Sequence, residues 1–157
     1  MDVEVGSSSA LVHLEPGEVL HEGLVAAFEA TGRRLPVVAT CLGSLNFVDY
    51  GLAACDENGI VGPGIRFTRV NDAIEIGSMQ GHIGVDALDN VSPHIHGVMF
   101  GREGECFGGH IFEARVLITI ELTLIGEADV GWQRVHEPVL GSPPLPLLKP
   151  IRRAPYV

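Results

Sequence analysis

The sequence predicts an α/β fold of the α+β kind: a single domain, mostly antiparallel β-sheet, with one main helix. Three observations lead there. Runs of alternating residues, at the period of two that strands impose, recur from Ala10 to Val135. Apolar residues at helical spacing form a clear stripe in one place, between residues 16 and 32. The chain has 157 residues, 46% of them hydrophobic and 19% charged, enough for one real core and too apolar for disorder over most of its length.

The elements are expected in this order. Residues 1–9 end in Gly6-Ser7-Ser8-Ser9 and are assigned to a flexible N-terminus, and the domain proper runs over 10–137. Ala10–Leu14 is a short strand. Pro16-Gly17-Glu18 opens the helix, because proline lacks an N–H that would go unpaired there and a carboxylate suits the positive helix end. Leu20, Leu24, Ala27, Phe28 and Thr31 share one face and belong to the core; Gly32 caps the C-terminus. Leu35–Ala54 reads as one or two strands, apolar on both sides and so covered by the helix or another subunit. Within it, Gly43 marks a bulge or a close backbone approach.

Asp56-Glu57-Asn58-Gly59 is a turn and Gly62-Pro63-Gly64 a loop. Ile65–Val70, a turn at Asn71-Asp72 and a returning strand over Ala73–Val85 make an antiparallel meander. The polar loop Asp86–Ser92 is placed to gate whatever binds nearby. Ile111–Ile125 is a long strand with Val116, Ile118, Ile120, Leu122 and Leu124 on one face and Leu117, Thr119, Glu121, Thr123 and Ile125 on the other. A short strand carries Trp132. Residues 138–157 form a proline-rich tail (Pro138, Pro143, Pro144, Pro146, Pro150, Pro155) that cannot continue a sheet centre and is expected to lie extended over the surface or a neighbouring subunit. Its basic cluster, Lys149, Arg152 and Arg153, reads as solvated or inter-subunit.

Charge restricts the partners. Twenty acidic against ten basic residues give a formal net charge of −10, which opposes a generic grip on nucleic-acid phosphates. The chain has no Arg-Gly-Arg tripeptide of an AT-hook, no phosphate loop and no dinucleotide fingerprint. Cys41, Cys55 and Cys106 form no C-x-x-C pair, which points to reduced thiols in the cytoplasm. The acidic start lacks the pattern of a signal peptide, and no apolar run approaches the roughly 20 residues of a membrane helix, so no membrane partner is expected.

The chemistry concentrates in Pro93-His94-Ile95-His96 and Gly108-Gly109-His110, which hold three of the seven histidines. On a strand His94 and His96 share a face, roughly 6–7 Å apart. Gly101–Glu105 reads as a hairpin connection, and pairing about Glu103 sets His96 directly opposite His110. A loop of even length would turn His110 to the wrong face unless a bulge at Gly108-Gly109 corrected it. Three neutral imidazoles on one face suit Zn²⁺ or another borderline divalent metal, with a coordination position left open. The alternative is three polar residues on a solvated sheet face. Cys106 is a rival ligand, but this register pairs it with Phe100 at the hairpin end. Glu75 and Glu121 are candidates for a carboxylate near the metal, with pairing to Arg66 or Arg115 as the structural alternative. His13, His21, His82 and His136 rank below the central three.

Glu75-Ile76-Gly77-Ser78-Met79-Gln80-Gly81, the H-x-H at His94 and His96, Gly104, Gly108-Gly109-His110 and Glu121 together resemble the plants-and-prokaryotes conserved (PPC) domain. The likeness extends upstream to Pro16-Gly17-Glu18-Val19 and Leu42-Gly43-Ser44-Leu45, and covers roughly residues 10–126. Each motif alone is weak; their ordered combination is fairly specific. The resemblance implies a mixed α/β domain that assembles as a homotrimer. It implies a metal held by His94, His96 and His110, as in prokaryotic members. Plant members carry the domain beside AT-hooks, bind DNA, and typically lack histidine after the glycine pair. With all three histidines, this chain resembles the prokaryotic, metal-competent type.

Three functions compete. The first is a metal-binding homotrimer, with Zn²⁺ first among divalent ions, that binds or acts on a small molecule; no residue stands out as a general base, so no reaction is named and catalytic residues stay unassigned. The second is a DNA-binding or transcription-associated regulator, by family analogy. The third is a scaffold whose subunit interface is its purpose.

Overall fold

The computed structural model describes residues 1–55, 57, 61–139 and 142–152, with the backbone alone at 55 and 61–65. Asp56, Asn58 and Gly59 of the expected turn, and Arg153 and Pro155 of the expected tail, lie outside the described residues. Among the described residues one helix and nine strands follow in the order β1 (Asp2–Val5), β2 (Ser9–Leu14), α1 (Leu20–Ala30), β3 (Val37–Cys55), β4 (Val61–Val70), β5 (Ile74–Val85), β6 (Val91–Phe100), β7 (Cys106–Ile125), β8 (Val130–Pro138) and β9 (Pro144–Arg152). The α+β expectation of one helix and a mostly antiparallel sheet holds.

β3 and β7 are the long central strands, paired antiparallel from Val37↔Ile125 to Gly51↔His110. The other edge of β3 takes β5 over Val37–Leu45 and β4 over Val48–Cys55. β6 lies between β5 and the start of β7. The pairings β3–β5, β5–β6, β6–β7 and β7–β3 therefore close a ring of four strands. β2, then β1, extend the sheet from the far end of β7.

The core lies between α1 and the inner face of this ring. Leu20, Leu24, Ala27, Phe28 and Thr31, the stripe read from the sequence, are all at most 1% exposed. The four apolar members sit in one buried cluster with Leu14, Ile95, Met99, Ile111 and Ile120. Burying each large apolar side chain contributes about 1.5–3 kcal/mol, which explains why an 11-residue helix too short to persist alone is held here. Gly23 lets α1 close on Leu14, whose Cδ atoms would lie under 3 Å from any added Cβ. The helix ends in a Schellman motif: Arg33 N–H donates to Phe28 O and Gly32 N–H to Glu29 O, with Gly32 at φ +63°.

Several expectations are corrected. The helix opens at Leu20, with extended Val19 as N-cap, so Pro16-Gly17-Glu18 lies in the preceding turn. There Glu18 accepts the backbone N–H of Glu15 at 2.7 Å. Asp2–Val5, expected to be loose, pairs with β2. Gly62-Pro63-Gly64 belongs to β4, and β4 and β5 do not pair as a meander; both flank β3. The apolar alternation of β7 breaks: Ile118 is 64% exposed. The cause is a register shift opposite Gly43 and Leu45. Gly43 adopts φ +134°, and a Cβ there would meet the Thr119 carbonyl oxygen at 2.0 Å, the close approach anticipated at this glycine.

The proline-rich segment is extended and stays out of the sheet centre, but it is paired into the sheet edge. β8 joins β5 in parallel through Gly84↔Trp132 and Val85↔Gln133, and β9 pairs antiparallel with β8. Pro144, Pro146 and Pro150 share one parity along β9. Their missing N–H groups thus fall on one side, and the intervening residues keep theirs for the ladder. β9 is an edge strand, where proline is tolerated and blocks further strand addition.

Candidate metal centre

His94 and His96 stand on β6 and His110 on β7, on the outer face of the ring. Ile95, Gly97 and Met99 alternate with them and point inward, so the strand period itself turns the two histidines outward. His96 lies directly opposite His110, Gly97 opposite Gly109, and Phe100 opposite Cys106. This is the register set by pairing about Glu103, and it leaves Cys106 at the hairpin end. Gly109 keeps φ +151°, and a Cβ on it would meet the Gly51 carbonyl oxygen at 2.5 Å; a Cβ on Gly108 would lie 2.0 Å from that of Gly97. The glycine pair thus lets β7 press between β6 and β3 just before His110.

One ring nitrogen from each of His94, His96 and His110 lies within 4.8 Å of the others. His94 Nε2 and His96 Nε2 are 3.2 Å apart. Two nitrogens bound tetrahedrally to one zinc stand about 3.3 Å apart, from Zn–N distances near 2.0–2.1 Å. The His94–His96 pair already has that separation. The donors also have suitable chemistry. Burial, then the charges of His96, Arg134 and His82, lowers the His94 pKa. Burial foremost, with His94, His96, His21 and Arg134 adding to it, lowers that of His110 to about 4. Both rings are therefore neutral, the ligand form, at pH 7.

The remaining candidates do not join them. Glu121 is exposed and lies eleven residues farther along β7 than His110, on the order of 30 Å for an extended strand. It pairs across the ladders with His13 and Leu42, and so supports no ligand histidine. Glu75 is exposed opposite Phe100. Arg66 stands opposite Leu52 and Glu75 opposite Ser44, eight residues apart on β3, so the two do not meet. Arg115 lies over the Phe47 ring at 5.9 Å instead. His21 is partly buried on α1 against the Ile111 backbone, and burial lowers its pKa. The loop after β5 is closed by Asp86, which accepts from the backbone N–H groups of Leu88 and Asn90, and is tied to the helix end by Arg33–Asp89 at 2.6 Å.

Sequence reading missed the surroundings of the triad. His82 faces His94 across β5 and β6 and stacks on Trp132 with ring centroids 4.3 Å apart. Arg134, two residues beyond Trp132, reaches Pro93 O with Nη2 at 3.4 Å. A cavity of about 430 Å³ lies beside the triad, lined by Val38, Gln80, His82, His94, His96 and Ile125 among others. The docking of β8 beside β5 brings Trp132 and Arg134 next to His82 and Pro93, and no local pattern in the sequence announces a parallel contact between residues so far apart.

The family model described as the Plants and Prokaryotes Conserved (PCC) domain matches residues 1–127. Among solved structures, a metal-containing protein from Archaeoglobus fulgidus is similar at 23% identity, with a TM-score of 0.70 over 93% of this chain and 96% of that one. A plant- and prokaryote-conserved protein from Pyrococcus horikoshii is 22% identical, with a TM-score of 0.66 over 94% and 96%. A candidate DNA-binding protein from Ralstonia eutropha is 15% identical, with a TM-score of 0.75 over 94% of each chain. Among curated protein sequences none matches.

Proposed function

Because the chain belongs to the Plants and Prokaryotes Conserved domain family, we propose that it is a homotrimeric metal protein in which His94, His96 and His110 hold one divalent ion and a small molecule binds or reacts beside it. The observation that carries this reading is the convergence of three ring nitrogens within 4.8 Å on one sheet face. Zn²⁺ is the first choice, since three neutral imidazoles with an open fourth position are its usual catalytic set. Such an ion supplies Lewis acidity or an activated water. The metal-containing relative from Archaeoglobus fulgidus supports the metal. The trimer is supported by exposed apolar side chains, Leu11 and Leu42 among them, on the outer face of β2, β7 and β3. A reducing cytoplasm fits Cys41 and Cys106, both free.

The test is metal content. Protein prepared without chelator should carry close to one ion per chain by elemental analysis, and His96→Ala should carry far less. Equal metal in both would end the reading.

The second reading, DNA binding, is favoured by the Ralstonia eutropha relative. The net charge of −10 opposes it. Among the described residues no helix is long and apolar enough to cross a membrane.

A further inference from the structure

The cation beside the triad carries a consequence for the ligand. Arg134 is partly buried, and its Nε is sealed from solvent without any hydrogen-bond partner. Among the described residues its one hydrogen bond, Nη2 to Pro93 O, is long at 3.4 Å. Among the described residues no carboxylate lies within ion-pair distance of it. Arginine is almost never buried unless paired, and an orphaned buried donor costs about 1–3 kcal/mol. Arg33, Arg69 and Arg152 each meet a carboxylate. Among the described residues, Arg134 is the one arginine with a buried nitrogen that lacks a hydrogen-bond partner.

Its position is as informative as its isolation. Arg134 shares a strand face with Trp132, which stacks on His82, and His82 faces His94. Its hydrogen bond reaches the residue immediately before His94. Three neutral imidazoles around a divalent ion leave two positive charges uncompensated, and Arg134 adds a third. No carboxylate joins the ligand set to offset them.

We propose that the metal-site ligand is a small oxyanion, carboxylate or phosphate, held between the ion's open position and the guanidinium of Arg134, with the rest of the molecule in the adjoining cavity. The proposal rests on the three-histidine metal site and deepens it by naming the ligand's chemistry. The planar guanidinium fork matches two oxygens of a carboxylate or phosphate, and a charge-assisted pair is stronger in a partly desolvated site. The apolar lining from Val38 and Ile125 suits a small carbon skeleton attached to that anionic head.

The experiment uses the full chain loaded with Co²⁺, whose visible spectrum reports on coordination. Acetate and inorganic phosphate are titrated in turn, with neutral acetamide as the uncharged probe. At least one anion should change the spectrum saturably, while acetamide should not. Arg134→Gln should weaken that anion by about tenfold to a hundredfold, the worth of a charged hydrogen bond, and bind Co²⁺ as well as wild type. Arg134→Lys, keeping the charge, should lose less, and it guards against a fold defect in the glutamine variant. Equal anion binding by wild type and Arg134→Gln, or equal response to acetamide, overturns the proposal and leaves the metal site standing. Absence of a Co²⁺ spectrum in wild type overturns both.

Discussion

His96 on β6 stands directly opposite His110 on β7, so the two rings share the outer face and their centroids lie 5.4 Å apart. Across an antiparallel ladder, directly opposed residues always project to the same side. With His94 two residues away on β6, one hairpin delivers three imidazoles from two adjacent strands to one face. His96→Ala should therefore lose most of the bound metal, and His94→Ala or His110→Ala should behave alike. His13→Ala and His136→Ala, on β2 and β8, should retain it. Elemental analysis of the five variants decides; retention by the first three sinks the site.

Metal binding should survive to lower pH than ordinary histidines allow. The His94 and His110 pKa values are lowered, chiefly by burial, the latter to about 4, so protons compete for these nitrogens only below the ordinary value near 6.5. Zn²⁺ affinity measured with a competing chelator between pH 8 and pH 5 should begin to fall below pH 6.5. A midpoint above 6.5 contradicts this.

The metal-free protein should show the matching change in stability. The unfolded chain takes up a proton on His110 below about pH 6.5, while the folded chain resists it until about pH 4. Folding stability therefore falls as pH drops from 6.5 towards 4 and levels off beneath that, as far as His110 is concerned. Urea unfolding at pH 7 and pH 5, compared between wild type and His110→Gln, isolates the contribution. The variant should lose less between the two pH values.

Two glycines should separate stability from metal binding. Gly43→Ala places a Cβ against the Thr119 carbonyl in a left-handed backbone and should cost about 2–3 kcal/mol or more. Lying far from the triad, it should leave metal content unchanged in whatever protein folds. Gly109→Ala should cost a similar amount and also displace His110, lowering metal occupancy. Thermal unfolding and elemental analysis of each variant give both numbers; normal metal occupancy in Gly109→Ala would count against the tight approach described for β7.

Association should depend on the uncovered outer face. Leu42 is 55% exposed beside Leu11 on the outer face of β3, β7 and β2. Light scattering at micromolar concentration should give a trimer for wild type and a smaller species for Leu42→Glu. A monomeric wild type refutes the trimer.

Much of this protein was legible in its sequence. The periods of two and 3.6 gave the strands, the single helix and its buried stripe from Leu20 to Thr31, because side-chain direction follows backbone geometry alone. Gly43 was readable as a close approach, since glycine inside a strand has few other physical reasons to be there. The His96–His110 register was legible too, since a short hairpin leaves few ways to pair its strands.

Tertiary structure decided what local periodicity cannot encode. It moved the helix start to Leu20, drew Asp2–Val5 into the sheet, exposed Ile118 at a bulge, and carried Glu121 away from the histidines along a single strand. It also built β9 from a proline-rich stretch by using one parity on an edge, and laid Trp132 and Arg134 beside His82 and His94. Each of these outcomes depends on a pairing between residues distant in the chain, or on a bulge set by a neighbour's backbone. Periodicity fixes which way a residue points; only the closed ring of strands fixes what it points at.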